Sequence, residues 1–326
     1  MCPGALCGPV TRSVRNRVWD VPLVDLLASH TFVVTAELGP PAEPNADLVR
    51  RSASALAPVV HAANVTDNQA ASVKMSPLAA AVVMLECGLE PIMQLTGRDR
   101  NILALQADLL GAWALGVRTV LALGGDPLSV GPYDGRATRV GDVDSVGMAH
   151  MIASLNRGEL LAGERLASST GFLVAGAANP LVDTVARLEA KADAGMGLLQ
   201  TNIVYDVDRF EKWFAPVVEA GLPGRAPVLV GVTPPRSLRM LEYLHERIPG
   251  VEVDEATFAR MRGLEGDAAK EEGVRIAADV ISRLRDVAGV AGVHIMAPGW
   301  EVEAVPRVTE TAGLSARSAA TSGGLA

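Results

Sequence analysis

Val117-Arg118-Thr119-Val120-Leu121-Ala122-Leu123-Gly124-Gly125-Asp126-Pro127 is the stretch that decides the fold. Its aliphatic run shows no polar alternation, so it reads as a strand covered on both faces, broken by two glycines that deliver a carboxylate. Strands of that kind belong to parallel sheets wrapped by helices, and such sheets gather ligands at the carboxyl ends of their strands. Asp126 is therefore a candidate site residue, although Gly-Asp-Pro is equally ordinary turn chemistry.

Outward from this stretch the same alternation repeats. Strands are expected over 31–37, 59–66, 90–96, 171–177, 198–205, 227–232 and 293–296, with helices over 45–56, 77–87, 101–115, 145–155, 181–194, 207–220, 237–247 and 267–287. Eight strands, each but the last followed by a helix, predict an α/β fold of the closed (β/α)8 TIM-barrel type over residues 31–300. No Gly-x-Gly-x-x-Gly follows the first strand, which argues against an open dinucleotide-binding sheet. Residues 1–30 read as a tail and cap whose amphipathic part, 21–27, covers one end of the barrel. Residues 301–326 read as a tail, with disorder expected over the small-residue stretch 315–326. The loop at 127–144 is long enough to be functional or mobile, and 250–266 is an acidic insert.

Composition narrows the function. The 326 residues are 49% apolar, enough for a large core, and only 4% aromatic, as suits an aliphatic parallel sheet. A net charge of -8 without a basic block argues against nucleic acid and anionic membranes as partners. Neither a secretory leader nor a run of roughly 20 apolar residues is evident, and Cys2, Cys7 and Cys87 make no disulfide framework, so a cytoplasmic location is expected.

On a barrel the strand ends carry Glu37, Thr66, Gln94 or Thr96, Asp126, Asn179, Asn202 and Thr233 to one mouth. Polar caps are also what any barrel puts there. The five histidines, His30, His61, His150, His245 and His294, have no metal-ligand spacing. His61 and His294 fall within strands and read as core imidazoles bonded to backbone. No Gly-x-Ser-x-Gly elbow supports covalent hydrolysis.

Thr35-Ala36-Glu37-Leu38-Gly39-Pro40-Pro41, Asn64-Val65-Thr66-Asp67-Asn68-Gln69, Gln94-Leu95-Thr96-Gly97-Arg98-Asp99-Arg100-Asn101, Leu121-Ala122-Leu123-Gly124-Gly125-Asp126, and Lys191-Ala192-Asp193-Ala194-Gly195 with Gln200-Thr201-Asn202 follow one another in order. Together they resemble the successive motifs of methylenetetrahydrofolate reductases of the bacterial single-domain type, from about residue 31 to 300. The resemblance implies a (β/α)8 barrel that reduces 5,10-methylenetetrahydrofolate to 5-methyltetrahydrofolate, with NADH or NADPH as co-substrate and FAD, or FMN, as hydride carrier. It implies Glu37 as general acid and Asp126 beside flavin and pterin. Cofactor binding falls to Thr66, Gln94, Thr96, Gly125, Asp126, Asn179 and Lys191, and substrate binding to Glu37, Asp126, Gln200 and Asn202.

Four positions depart from the flavin-bearing pattern. Gln94 and Asn179 stand for histidines, Ala175 for a tyrosine and Gly124 for an arginine. A flavin-independent branch of the family makes direct hydride transfer from the nicotinamide the alternative. Two others are a tetrahydrofolate-dependent methyltransferase and a partner-dependent subunit docking through 127–144 or 250–266. A homo-oligomer is compatible with all of these.

Overall fold

Eight parallel strands close in chain order: β1 (Val33–Leu38), β2 (Ala62–Val65), β3 (Glu90–Thr96), β4 (Thr119–Leu123), β5 (Leu173–Ala178), β6 (Leu198–Ile203), β7 (Val228–Val232) and β8 (Val290–Ile295), which returns to pair with β1. This computed structural model describes residues 21–314. Around the barrel run α2 (Ala46–Leu56), α3 (Pro77–Glu86), α4 (Ile102–Leu115), α5 (Ser145–Asn156), α6 (Val185–Asp193), α7 (Val207–Glu219), α8 (Leu238–Arg247), α10 (Gly266–Arg285) and α11 (Glu301–Thr311). A six-residue helix, α1 (Leu23–Ala28), precedes β1, and α9 (Glu255–Met261) lies within the acidic insert.

The helices begin where short polar side chains can hold the first free N–H groups. Asn101 accepts from Ala104 N at 3.0 Å, Asp144 from Gly147 N at 2.8 Å, Asp206 from Arg209 N at 3.0 Å and Asp254 from Thr257 N at 2.7 Å. Each such cap is worth about 1 kcal/mol and places the start of a helix above the carboxyl end of a strand or, for α9, within the insert.

One expectation is corrected. Residues 301–311 are not a tail: they form α11, which buries Ala304, Val305 and Val308, so the last strand is followed by a helix like the others. The loop at 127–144 is tied down near both ends. It opens with a 3-10 turn, Leu128–Val130, and near its far end Val140 N donates to Arg98 O at 2.9 Å and Gly141 N to Gly97 O at 3.0 Å. The expected tails at 1–20 and 315–326 lie outside the described residues.

Strand alternation divides the core in two. Val34, Ala36 and Leu38 of β1 face the helices, whereas Val33, Ala62, Ile92, Leu121, Ala175, Leu198 and Leu229 turn inward and fill the lower barrel. Leu23 and Leu27 of α1 join that inner cluster, so α1 closes the amino-terminal end as the amphipathic segment predicted. Burial of each leucine contributes about 2 kcal/mol. One carboxyl shares this floor. Glu90 Oε2 accepts from Leu23 N at 2.9 Å, and burial pushes its pKa up to about 7 against the opposing pull of that bond and of Thr119.

Candidate active site

Toward the carboxyl ends of β2, β3, β6 and β8 the barrel interior turns polar. Asn64, Gln94, Gln200 and His294 stand above the apolar layer, and Glu37, Thr96 and Asn202 stand at or beside the rim. They line a cavity of about 570 Å³ at the carboxyl ends of the strands. At its base Asn64 Nδ2 donates to Gln200 Oε1 at 2.7 Å, and Gln200 Nε2 returns a bond to Asn64 Oδ1 at 3.2 Å. The same Asn64 amide reaches His294 Nε2 at 3.4 Å, while His294 Nδ1 meets Thr35 Oγ1 at 3.0 Å. With Nε2 accepting, the imidazole carries its proton on Nδ1. Burial holds its pKa down to about 3, so it stays neutral.

Glu37 and Asp126, distant in sequence, open into this one cavity. The Glu37 carboxyl is pushed up to about 7, first by desolvation and then by the negative charges of Glu301 and Asp126, while a bond from Gln69 acts against the rise. Glu301 is the first residue of α11, so the helix missing from the sequence reading contributes to the environment of the Glu37 carboxyl. A carboxyl raised that far is partly protonated near neutral pH.

A strap between β2 and α3 joins the two carboxyl groups. Gln69 Nε2 donates to Glu37 Oε1 at 3.3 Å, and the next residue donates from Ala70 N to Asp126 Oδ2 at 2.8 Å. Asn68, Ala70 and Ala71 have φ of 46°, 54° and 50°, a left-handed run without glycine. Each such residue costs on the order of 1 kcal/mol or more and persists only where its surroundings impose it. Here Asn68 Oδ1 accepts from Lys74 N at 3.0 Å, and Arg98 Nη2 donates to Asn68 O at 3.2 Å.

Beneath the strap lies a charged brace. Asp67 Oδ2 accepts from Thr96 N at 2.9 Å, Thr96 Oγ1 at 3.0 Å and Arg100 Nη1 at 2.7 Å, and Oδ1 from Arg100 Nη2 at 3.2 Å, tying the end of β2 to β3. The buried Arg98 grips both oxygens of Asp99 at 2.6 Å, which lowers the pKa of that carboxyl, and donates to Asp126 O at 3.2 Å. Gly125, at φ 82°, turns the β4 end over this arginine; a Cβ there would stand 2.8 Å from Arg98 Cβ.

On the opposite side of the mouth the predicted binding residues are engaged by protein. A bulge between Gln200 and Ile203 in the β6–β7 register displaces Asn202, whose Nδ2 donates to Pro249 O at 2.9 Å and whose Oδ1 accepts from Ile203 N at 2.8 Å. Asn179 Oδ1 accepts from Leu181 N at 3.0 Å, and its amide packs against Gly250. The insert thereby closes on the ends of β5 and β6. Lys191 Nζ donates to Asp183 Oδ2 at 2.7 Å and to Ala177 O at 2.8 Å, and Arg187 Nε pairs with Asp183 Oδ1 at 3.1 Å.

Of the residues assigned from sequence, Glu37, Gln94, Thr96, Gly125, Asp126, Asn179, Lys191, Gln200 and Asn202 line the cavity together. Thr66 does not: it is buried one position past β2, and the wall there is made by Asn64 and Asp67. Thr233 is also buried away from the cavity, its hydroxyl without a partner among the described residues. His294 was expected to bond backbone and instead bonds side chains at the cavity base. Its register opposite Thr35, on the inward face of β8, is the signal that could have found it. Asn64 and Gln69 sit in a quoted motif and were left without a role.

Fold and cup together define a (β/α)8 barrel with two acidic side chains converging where barrel enzymes bind their ligands. The chain belongs to the methylenetetrahydrofolate reductase family, whose model matches residues 23–313. Membership supports a folate-related enzyme of the reductase type. Among solved structures, an uncharacterized protein from Clostridium thermocellum that binds two copies of 5-methyl-5,6,7,8-tetrahydrofolic acid is 14% identical. The match covers 90% of this chain and 99% of that one, with a TM-score of 0.66, and shows a shared fold. A 2,3-dimethylmalate lyase overlaps at a TM-score of 0.43 and 13% identity over 82% of this chain and 75% of that one. No curated protein matches the sequence. Among the described residues no helix is long and apolar enough to cross a membrane.

Proposed function

We propose that this chain reduces 5,10-methylenetetrahydrofolate to 5-methyltetrahydrofolate, with Glu37 as general acid and NADH or NADPH as the source of hydride. The observation that carries the reading is that Glu37 and Asp126, far apart in sequence, open into one cavity of about 570 Å³, where burial pushes the Glu37 carboxyl up to about 7. The methylene bridge must open to an iminium ion before it accepts hydride, and opening requires a proton on the departing nitrogen. Glu37 supplies that proton, and hydride then converts the iminium carbon to the methyl group. Asp126, carrying an acceptor oxygen at the rim, suits the amino and ring N–H donors of a pterin. The base made by Asn64, Gln200 and neutral His294 sets the depth to which the ring can enter. The folate bound by the Clostridium thermocellum protein supports the same ligand class here.

A bound FAD or FMN is the carrier that the family resemblance implies, and when bound it would relay hydride from the nicotinamide. The cavity suits its ring better than its phosphates. Leu121, Leu123 and Ala177 offer flat apolar walls and Gln94 an amide, but the cations Lys191 and Arg187 are both paired with Asp183. That pairing, with the departures at Gln94, Gly124, Ala175 and Asn179, favours a second reading in which nicotinamide passes hydride directly to the folate. One experiment separates them. Purified protein that is yellow and bleached by NADH supports the relay; colourless protein that oxidises NADH only with methylenetetrahydrofolate present supports direct transfer. Protein that forms no 5-methyltetrahydrofolate under either condition overturns the proposal.

A further inference from the structure

The strap across the mouth has a polar side chain that donates a hydrogen bond to the Glu37 carboxyl. Gln69 is exposed, donates to Glu37 Oε1 at 3.3 Å, and is flanked by Ala70, whose N–H is taken by Asp126. Nothing in the packing of the core requires a glutamine there. The strap is held from outside as well: Gly131 of the 127–144 loop presses on it so closely that a Cβ at 131 would lie 2.5 Å from Ala71 O and 2.6 Å from Ala70 O. The loop, the strap and Asp126 thus fix where the Gln69 amide can reach.

We infer that Gln69 is a positioning residue for Glu37, orienting its carboxyl and setting its proton affinity through the strap that Asp126 and Gly131 hold in place. The assignment of a purpose to that tuning rests on the acid role proposed for Glu37; the contact itself does not. A donated N–H stabilises the carboxylate and lowers its proton affinity. The other groups acting on Glu37 work the opposite way, Asp126 from the end of β4 and Glu301 from the start of α11, while His294 on β8 is neutral. Gln69 is the counterweight that keeps the acid from being protonated too firmly to release its proton.

The test reads Glu37 directly, by carboxyl 13C NMR titration of the glutamate-labelled full chain, its signal assigned by loss in Glu37→Gln. Gln69→Ala should raise the Glu37 midpoint by about 0.5–1 pH unit, the size of one hydrogen bond to a carboxylate. Gln69→Glu should raise it further and Gln69→Lys should lower it, because the substituted charge faces the same oxygen. A strap with a merely structural role would move all three in one direction. Gly131→Ala, which touches Glu37 nowhere, should shift the midpoint upward by displacing the strap. In the reductase assay the descending alkaline limb should follow the same order. An unchanged midpoint in Gln69→Ala, or shifts of one sign in the Glu and Lys variants, overturns the inference. The predicted titration shifts without any folate reduction would leave the positioning role standing and overturn the functional proposal alone.

Discussion

Glu90 at the barrel floor makes the stability of the fold depend on pH in a direction opposite to that of most paired carboxylates. Its carboxyl is buried with 3% exposure and its pKa rises from the ordinary 4.5 to about 7. Below the lower value the group is protonated in the folded and unfolded chain alike. As pH climbs from 4.5 toward 7 the unfolded chain loses this proton first, so stability falls, and above 7 the deficit is constant. A shift of that size corresponds to roughly 3 kcal/mol. Glu90→Gln removes the ionisation and keeps the contacts, since the amide oxygen can accept from Leu23 N and the amide nitrogen can donate to the Thr119 hydroxyl. Urea unfolding of both proteins at pH 5 and pH 8 is the assay. The variant should match the wild type within about 1 kcal/mol at pH 5 and exceed it by about 3 kcal/mol at pH 8. Glu37 titrates in the same direction and is present in both proteins, so it cancels in the comparison. Glu90→Ala, which leaves Leu23 N unpaired beneath α1, should be destabilised at both pH values. Equal pH dependence in wild type and Glu90→Gln would refute the assignment of this ionisation to Glu90.

At the mouth, Glu37→Gln should retain 5-methyltetrahydrofolate binding, seen by calorimetry, and lose at least about 100-fold in folate reduction, the usual contribution of a general acid. The wild-type rate should fall as pH rises through about 7, because the carboxyl must be protonated to act; a flat profile from pH 6 to 8.5 would contradict that role. Lys191→Met should destabilise the fold by about 3 kcal/mol in urea, since it strips the buried Asp183 of its shortest ion pair and leaves only the exposed Arg187.

The barrel was legible because its periodicity is local. β3 matches its expected span, and Glu37, Gln94, Thr96, Asp126, Asn179 and Asn202, expected at the strand ends, line one cavity. Boundaries moved where side chains intervene in the backbone. α6 begins at Val185, not 181, because Thr184 accepts from Arg187 N and residues 182 and 183 turn back onto Asn179 O. α11, which carries Pro306 within it, lay in the stretch read as a tail. The convergence of Glu37 and Asp126 follows from strand order, but the strap that couples them does not. Left-handed alanines at positions 70 and 71 carry no sequence signature, since only the Gly131 and Asp126 contacts impose them. The closure of 249–250 on Asn179 and Asn202 was equally invisible, because it joins an insert to strand ends more than forty residues away.

The reciprocal amide clasp between Asn64 and Gln200 bears on how a guest enters. Each amide is satisfied by the other across the barrel, so neither waits for water or a ligand to settle its rotamer. An arriving ring meets a seat already shaped, and little ordering entropy opposes its capture. Affinity for the pterin should therefore outlast rim substitutions that abolish turnover.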